Sequence, residues 1–590
     1  MRPSTLAARP SRLRTAFVGA LLISHLALWP AQAQEEAPAP AIAATGGDLI
    51  GYSSIHHPTI GRDGMVVAQN KIAARIGADI LAKGGNAVDA AVAVGIAEAL
   101  TLPRAGNLGG GGYMLVYDAA SKKTVAIEYY GQAPLGVTPD LLLGADGKVD
   151  AAKVQSFKGV TVPGTVAGLY EAHKRFGKLP WAQLIQPTID LATTGVVMSD
   201  DEASALAQRK SAMSKDPSGA YKVFFKPDGS AYAPGEVFKN PDLVWTLKQI
   251  QAGGADGFYK GPVAEKLVAG VQAGGGVITM KDLASYKANV LEPIWSTYRG
   301  YQIAYMPPTS AASSVAEVMN ILEQFPMDKF GQGNVATMHV MAEALKIATM
   351  DRRYSGGGPQ WKTPAKGIAS KDFAKERAKL ISMDRSLDSK TLTALDPHSF
   401  EGPDTTHFAI ADKDGNVVSN TYTLTASFGA HVVAPGTGFL LNNSMGNFDW
   451  SARGASLGNK IEPGKRAQST ISPIIVFKDG KPWVATGTPG GGTIIATMAQ
   501  MLSNIIDYRL NIAEAAQRPR IYQSGIDGPL QLEESIPQDL VAGLEAKGHR
   551  VERSQIIGST QSIMIGPDGV FYGAADTRRP DAAAVGVRQF

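Results

Sequence analysis

Glu401-Gly402-Pro403-Asp404-Thr405-Thr406-His407-Phe408 decides the reading of this chain, because a turn-like Gly-Pro-Asp passes directly into a strand-like run that opens on threonine. A threonine hydroxyl with no base beside it stays protonated and is a poor nucleophile. One chemical solution makes the threonine the first residue of a new chain, so that its own α-amine accepts the proton. A cut between Asp404 and Thr405 creates that residue. Thr-Thr at a strand start is also an ordinary structural feature, so the chemistry rests on what accompanies it. Further along, Thr486-Gly-Thr-Pro-Gly490-Gly491-Gly492 stands at the mouth of a helix-like segment. Glycines between a strand and a helix can aim two backbone N–H groups at one oxygen, which is oxyanion-hole geometry, although a plain tight turn uses the same residues. Ser469-Thr470, ahead of Ser472-Pro473, can donate to the same site or face solvent. His407 shares the strand face of Thr405 by two-residue alternation and reads as a packed neighbour rather than the base.

The texture changes at Thr405. Thr405 to Ala411 and Val417 to Leu424 flank Asp412-Lys-Asp-Gly-Asn416, a hairpin signal. Strands are expected at Gly438 to Asn443, Ile471 to Phe477 and Trp483 to Thr486, and helical spacing returns from Thr493 to Ile506. Upstream, Ile72, Ile76 and Ile80 recur at helical spacing, and Gly84-Gly85 closes that helix before another begins near Asn86. The apolar helix from Asn86 to Leu102 carries Asp89 and Glu98, which marks it as buried core rather than a membrane span. The stretch from Pro163 to Arg353 reads as mostly helices with Gly/Pro punctuation, and Ile381 to Asp404 as a mobile loop. Helices, then strands, then helices suit a layered α/β/β/α protein whose sheets are shared between two halves.

Residues 1–33 read as an export signal: Arg2, Arg9, Arg12 and Arg14, an apolar stretch from Ala16 to Trp29, then Ala31-Gln32-Ala33 as a small-x-small cleavage pattern. Glu35 to Thr45 reads as a disordered mature N-terminus. All four signal charges are arginines, so the +4 of the whole chain falls to neutrality once they are removed. There is then no electrostatic case for nucleic acid and no expected membrane anchor. A periplasmic or secreted location follows. The chain has 0 cysteines, which excludes a thiol nucleophile, disulfides and Cys-ligated zinc. It contains no HExxH, P-loop or Ser-x-x-Lys pattern. Gly454-Ala-Ser456-Leu-Gly458 matches the serine-hydrolase elbow, but the residues on both sides read as loop where that motif needs a strand and a helix.

Together these segments resemble the gamma-glutamyltransferase (glutathione hydrolase) family of N-terminal-nucleophile hydrolases. The blocks are Gly84-Gly-Asn-Ala-Val-Asp-Ala-Ala-Val-Ala-Val94, Ala105-Gly-Asn-Leu-Gly-Gly-Gly-Gly112, Pro163-Gly-Thr-Val-Ala-Gly168, Thr405-Thr-His-Phe408, Thr421-Tyr-Thr-Leu424, Leu441-Asn-Asn443, Pro489-Gly-Gly491 and Gly558-Ser-Thr-Gln-Ser562. The resemblance implies a four-layer αββα sandwich built from two chains of one self-cleaved precursor. These would be a large chain of residues 34–404 and a small catalytic chain of residues 405–590. It implies Thr405 as nucleophile, Thr423 as its hydrogen-bonded partner, and Gly490 and Gly491 as the oxyanion hole, with no metal or organic cofactor.

The residues that would read the substrate depart from the family pattern. Ala126-Ile-Glu-Tyr-Tyr130-Gly-Gln-Ala-Pro134 has Tyr130 where the family places an arginine for the substrate α-carboxylate. Asn447 stands where an aspartate would hold the α-amine, Thr425 and Ser444 occupy two further polar positions, and Ser469-Thr470 replaces a Ser-Ser pair. A charge-assisted hydrogen bond contributes roughly 1.5–3 kcal/mol, so losing two weakens recognition of a zwitterion by orders of magnitude. Arg104 is one replacement cation, or a solvated loop arginine. The expected activity is hydrolysis or transfer of a gamma-glutamyl group, as from glutathione, to water or an amine acceptor. A glutaryl-type (cephalosporin) acylase is the alternative enzyme, and a non-catalytic binding protein on the same fold is the alternative outside catalysis. Purified protein is expected to run as two bands, the smaller beginning Thr-Thr-His-Phe, and Thr405→Ala as one. Cleavage of Thr405→Ala at the same bond without added protease contradicts the self-processing chemistry.

Overall fold

Two apolar helices set the first layer. In the computed structural model, which describes residues 54–216, 219–352, 364–388, 405–451 and 458–588, α1 spans Lys71–Ala82 and α2 spans Ala87–Thr101. Asn86 caps α2 by accepting from the N–H groups of Val88 and Asp89, while the Asp89 carboxylate accepts from Asn86 N–H. Asp89 also accepts from the N–H groups of Lys178 and Leu179, so its burial is matched by hydrogen bonds. Every residue of α2 is buried, as its all-round apolar sequence, broken only by Asp89, Glu98 and Thr101, requires.

Fourteen strands form the inner layers: β1 (Thr59–Gly61), β2 (Gly64–Ala68), β3 (Gly111–Asp118), β4 (Lys123–Glu128), β5 (Asn289–Leu291), β6 (Ile294–Tyr298), β7 (Tyr301–Tyr305), β8 (Thr406–Asp412), β9 (Val417–Thr423), β10 (Ile474–Lys478), β11 (Lys481–Gly487), β12 (Gln561–Ile565), β13 (Phe571–Ala575) and β14 (Ala583–Val587). They make two 7-stranded antiparallel sheets, in the orders β1-β13-β12-β11-β10-β7-β6 and β14-β2-β8-β9-β3-β4-β5. The sheets pack face to face through β8, β9 and β2 on one side and β11, β12 and β13 on the other. Helices α1 and α2 cover the outer face of the second sheet. Helix α3 (Ala312–Leu322), packed on β6 and β7 and joined by α4 (Val335–Asp351) and α5 (Ile494–Ile506), covers the outer face of the first. This is the four-layer αββα arrangement. Strands β1 to β7 precede Thr405 and β8 to β14 follow it, and both sheets mix the two groups.

Two expectations, Gly438 to Asn443 and the mobile loop, need correction. The stretch from Pro163 to Arg353 is mostly helical, as expected, and the hairpin of β6 and β7 within it ends one large sheet. Its turn residues Arg299 and Gly300 both take positive φ, 49° and 87°, as a two-residue hairpin turn requires. Gly438 to Asn443 is not a strand: it makes only isolated bridges, Val433 with Leu440 and Gly109 with Leu441. The described part of the expected mobile loop is tied down, with Ser386 N–H donating to Lys547 C=O and Leu387 N–H to the Glu343 carboxylate. The signal at 1–33, the stretch from Glu35 to Thr45, Asp404 and Ser456 of the decoy elbow lie outside the described residues. Among the described residues no helix is long and apolar enough to cross a membrane.

Glu98 on α2 is fully buried; it accepts from Thr406 Oγ1 at 3.3 Å, and no cation pairs with it among the described residues. Burial pushes its carboxyl up from 4.5 to about 8, against smaller opposing hydrogen bonds from Tyr422 and Thr406. Between those two pH values the folded protein holds a proton that the unfolded chain releases, so stability falls as pH rises through this window. Glu98→Gln keeps the neutral shape. Its stability relative to the parent is expected to increase by on the order of 1–3 kcal/mol between pH 5 and pH 8.5, read from urea unfolding at each pH. A difference independent of pH shows that Glu98 does not titrate in this window.

Candidate active site

The site residues gather at one end of the sandwich because the strands that carry them start or stop there. In the second sheet β8 begins at Thr406, β9 ends at Thr423 opposite Gly111 at the start of β3, and β4 ends at Glu128 opposite Tyr113. In the first sheet β11 ends at Gly487, opposite Gln561 at the start of β12, and β10 begins at Ile474 just past Ser469-Thr470. His407 links the two ends: a Cβ on Gly487 would sit 2.3 Å from its Nδ1. The His407 ring bonds Thr421 Oγ1 at 2.7 Å, and burial pushes its pKa down to about 3, so it is a neutral packing group at physiological pH. That agrees with its reading as a neighbour rather than a base.

Thr405 lies immediately before β8 and is 3% exposed. Its hydroxyl donates to Thr423 Oγ1 at 3.2 Å, and Thr425 N–H donates to the same oxygen at 2.8 Å. From Thr425 the bonds continue outward: Thr425 Oγ1 bonds Ser444 Oγ at 2.6 Å and Tyr130 OH at 3.1 Å, and Asn447 Nδ2 donates to Tyr130 OH at 3.0 Å. Thr405, Thr423, Thr425, Ser444, Tyr130 and Asn447 therefore form one connected, uncharged set. Asn447 Oδ1 is buried with no hydrogen-bond partner among the described residues, an acceptor left open inside the set. Ser469 N–H donates to Thr309 C=O at 3.0 Å, and Asn447 Nδ2 also reaches Gln468 C=O at 3.5 Å. Ile471 N–H donates to Ser469 Oγ, and Thr470 C=O accepts from Ser472 Oγ.

The motif blocks explain how this set is held. Gly110 lies so close to β9 that a Cβ would fall 2.3 Å from Thr423 C=O, so only glycine lets the loop pass beneath that residue. Asn442 accepts from Thr161 N–H and Oγ1 and donates to Gly109 C=O, and Asn443 accepts from Ala426 N–H. The Leu441-Asn442-Asn443 block thereby pins three loops at once.

A supporting cluster escaped the sequence reading. Tyr130 stacks on Tyr113 at 5.4 Å, Tyr113 OH bonds Thr309 Oγ1 at 2.8 Å, and Thr309 Oγ1 donates to Glu128 Oε1 at 2.6 Å. Buried Arg466 closes it with an ion pair to Glu128 at 3.1 Å. The only local sign was a carboxylate ending an apolar strand, and its partner lies 338 residues away in sequence. Arg104 is not a spare cation, since it is buried against Asp201 and Glu202, the latter at 2.9 Å.

Gly490 and Gly491 leave β11 at φ 136° and 53°, before α5. A Cβ on Gly490 would meet Thr493 Oγ1 at 2.4 Å. Among the described hydrogen bonds none joins these glycines to the hydroxyl set; they share its end of the sandwich through β11. Such a turn exposes successive N–H groups where a reacting carbonyl oxygen can sit.

A family model described as Gamma-glutamyltranspeptidase matches residues 73–586. The chain belongs to the gamma-glutamyltranspeptidase family. It is accordingly an enzyme of N-terminal-nucleophile hydrolase architecture. Glutathione hydrolase proenzyme of Escherichia coli K12 is 40% identical over 542 residues, covering 90% of this chain and 93% of that one. Acylase ACY 1 proenzyme of Pseudomonas strain V22 is 37% identical over 528 residues, covering 88% and 92%. The crystal structure of cephalosporin acylase from Bacillus halodurans superposes with a TM-score of 0.79 at 28% identity, covering 91% of this chain and 98% of that one. Gly491→Ala, or Gly490→Ala with its built-in clash, is expected to fold and to lose about 10²–10³ in turnover, the cost of one oxyanion donor. Normal turnover by a folded variant removes these glycines from the chemistry.

Proposed function

We propose that this family member is an exported enzyme that cuts itself before Thr405 and then hydrolyses or transfers a gamma-glutamyl group from glutathione-like amides. The observation that carries the reading is the Thr405–Thr423 hydroxyl bond at 3.2 Å, at the head of a hairpin within the matched family region. In self-processing, Thr405 Oγ attacks the Asp404 carbonyl, the C–N bond breaks and the Thr405 amine is freed. Water then hydrolyses the resulting ester, leaving a large chain that ends at Asp404 and a small chain that begins at Thr405. In turnover the same oxygen attacks the substrate amide and its proton passes to the Thr405 α-amine, whose ordinary pKa near 8 suits a base at neutral pH. Gly490 and Gly491 N–H groups hold the oxyanion, and the leaving amine takes the proton as the C–N bond breaks. Water or an amine acceptor then releases the acyl group. No step draws on a metal or organic cofactor, and the apolar, Arg-led N-terminus supports a periplasmic or secreted enzyme.

A second reading, a glutaryl-type acylase, is favoured by one observation: the hydroxyl–amide set at Tyr130, Thr425, Ser444 and Asn447 carries no charge. A zwitterionic head loses two ionic partners there, while a glutaryl group, which keeps the carboxylate but has no α-amine, loses one. The open Asn447 Oδ1 still offers an acceptor to an amine.

Turnover of gamma-glutamyl and glutaryl p-nitroanilides by the processed enzyme separates the readings. The expected kcat/KM values lie within about tenfold of each other, because a neutral set cannot supply the roughly 1.5–3 kcal/mol per charged contact. Tyr130→Arg with Asn447→Asp shifts kcat/KM toward gamma-glutamyl, and either change alone does little because one unpaired buried charge is costly. A parent enzyme preferring gamma-glutamyl by several orders of magnitude shows that other residues read the α-amine.

A further inference from the structure

An anionic substrate end has no counter-charge inside the hydroxyl–amide set, yet two cations stand just beyond it. A cleft of about 470 Å³ lies between the helix Asp200–Met213 and the loop from Ala426 to His431. Arg209 and Lys215 enter it from the helix side, Ala426, Ser427 and His431 from the loop, and Gln155 from a third segment. Neither Arg209 nor Lys215 has an acidic partner among the described residues, whereas Arg104 in the adjoining wall is paired with Asp201 and Glu202. The field of the two free cations registers on buried His431, whose pKa is pushed down to about 4 by burial and then by Arg209 and Lys215. His431 is thus neutral at pH 7, and the charge of the cleft is that of the two flexible side chains.

Two connections place this cleft on the Thr425–Ser444 side of the candidate site. Ala426 directly follows Thr425, whose N–H bonds Thr423 Oγ1. Gln155 directly follows Val154, which packs beneath Gly446, where an added Cβ would come within 2.8 Å of Val154 Cγ1. With roughly 3.8 Å between successive Cα atoms, Ser427 lies no more than about 15 Å from Thr423. A five-carbon acyl chain and an extended arginine together span a distance of that order.

We propose that Arg209 and Lys215 bind the carboxylate carried by the acyl group, so that this enzyme reads from the cleft the charge that Tyr130 cannot read. The inference rests on Thr405 being the nucleophile, and it names the substrate class as amides of carboxyl-bearing acids. Lys215 is exposed and Arg209 is half-buried, and neither belongs to the apolar core, so replacing them leaves that core intact.

The test compares the parent with Arg209→Ala/Lys215→Ala on glutaryl, gamma-glutamyl and butyryl p-nitroanilides. The expected result is a rise in KM of about ten- to a hundredfold for the two carboxylate donors, with kcat nearly unchanged and butyryl unaffected. Arg209→Lys with Lys215 intact restores most of the affinity. Equal KM for all donors in parent and variant overturns the proposal. So does an effect confined to butyryl-glycylglycine, which carries its carboxylate on the leaving group. Failure of the underlying reading looks different: Thr405→Ala then retains hydrolysis. If none of the anilides is turned over, glutarate decides by thermal shift, where stabilisation lost in the double variant supports the site and none in the parent overturns it.

Discussion

The register of one hairpin governs the whole site. Thr406 pairs with Tyr422 and His407 with Thr421, so the residue before β8 falls beside the residue that ends β9, and Thr405 meets Thr423. A slip of one residue would turn every side chain to the opposite face. Thr406 would leave Glu98 and the α2 layer, and His407 would lose its place between the sheets. The register is held from both sides. The Asp412 carboxylate accepts from Asn416 N–H and Ala87 N–H, tying the turn to the start of α2. Strand β3 pairs along the whole of β9, from Val417 opposite Tyr117 to Thr423 opposite Gly111.

Around that hairpin the protein places its charges with care. Glu128 and Arg466 are both buried and meet at 3.1 Å beside Tyr113 and Tyr130. Where β13 ends in the first sheet, Arg520 pairs with Asp576 at 2.7 Å, and Arg578 bridges Asp576 and Glu533. Such pairs contribute little net stability relative to apolar packing, but breaking one leaves a buried charge at a cost of roughly 3–5 kcal/mol. They act as alignment pins between segments distant in sequence. The hydroxyl set behaves differently: its members are neutral, and each can re-pair with a ligand at modest cost.

Local chemistry was readable from the residues and long-range partnership was not. The α2 caps, the hairpin around Asp412 to Asn416 and the helix after Gly492 follow from punctuation and periodicity, and all are present. Thr425, Ser444, Asn447 and Tyr130 were picked out separately, but nothing in the sequence says that they touch. The β6–β7 hairpin was missed because Arg299-Gly300 replaces the usual Asn-Gly signal. Gly438 to Asn443 misled in the opposite direction. Phe439, Leu440 and Leu441 are apolar because they are fully buried, and their backbone bonds go to loops rather than a ladder. The Glu128–Arg466 pair left only a carboxylate at the end of an apolar strand, with nothing to name its partner 338 residues away.

The interleaving of strands from before and after Thr405 has a kinetic meaning. In the first sheet β1, β7 and β6 flank a block of later strands, and in the second β8 and β9 run between β2 and β3. Were the chain cut before Thr405, neither fragment would own a complete sheet or a closed core. Parting them would then be the same event as unfolding, with no separate dissociation constant to measure. An intact precursor finds its partner strands within one molecule, whereas denatured fragments must find each other by collision. Continuity of the backbone is therefore a requirement of assembly rather than of the finished enzyme, and a cut timed after folding costs the structure almost nothing.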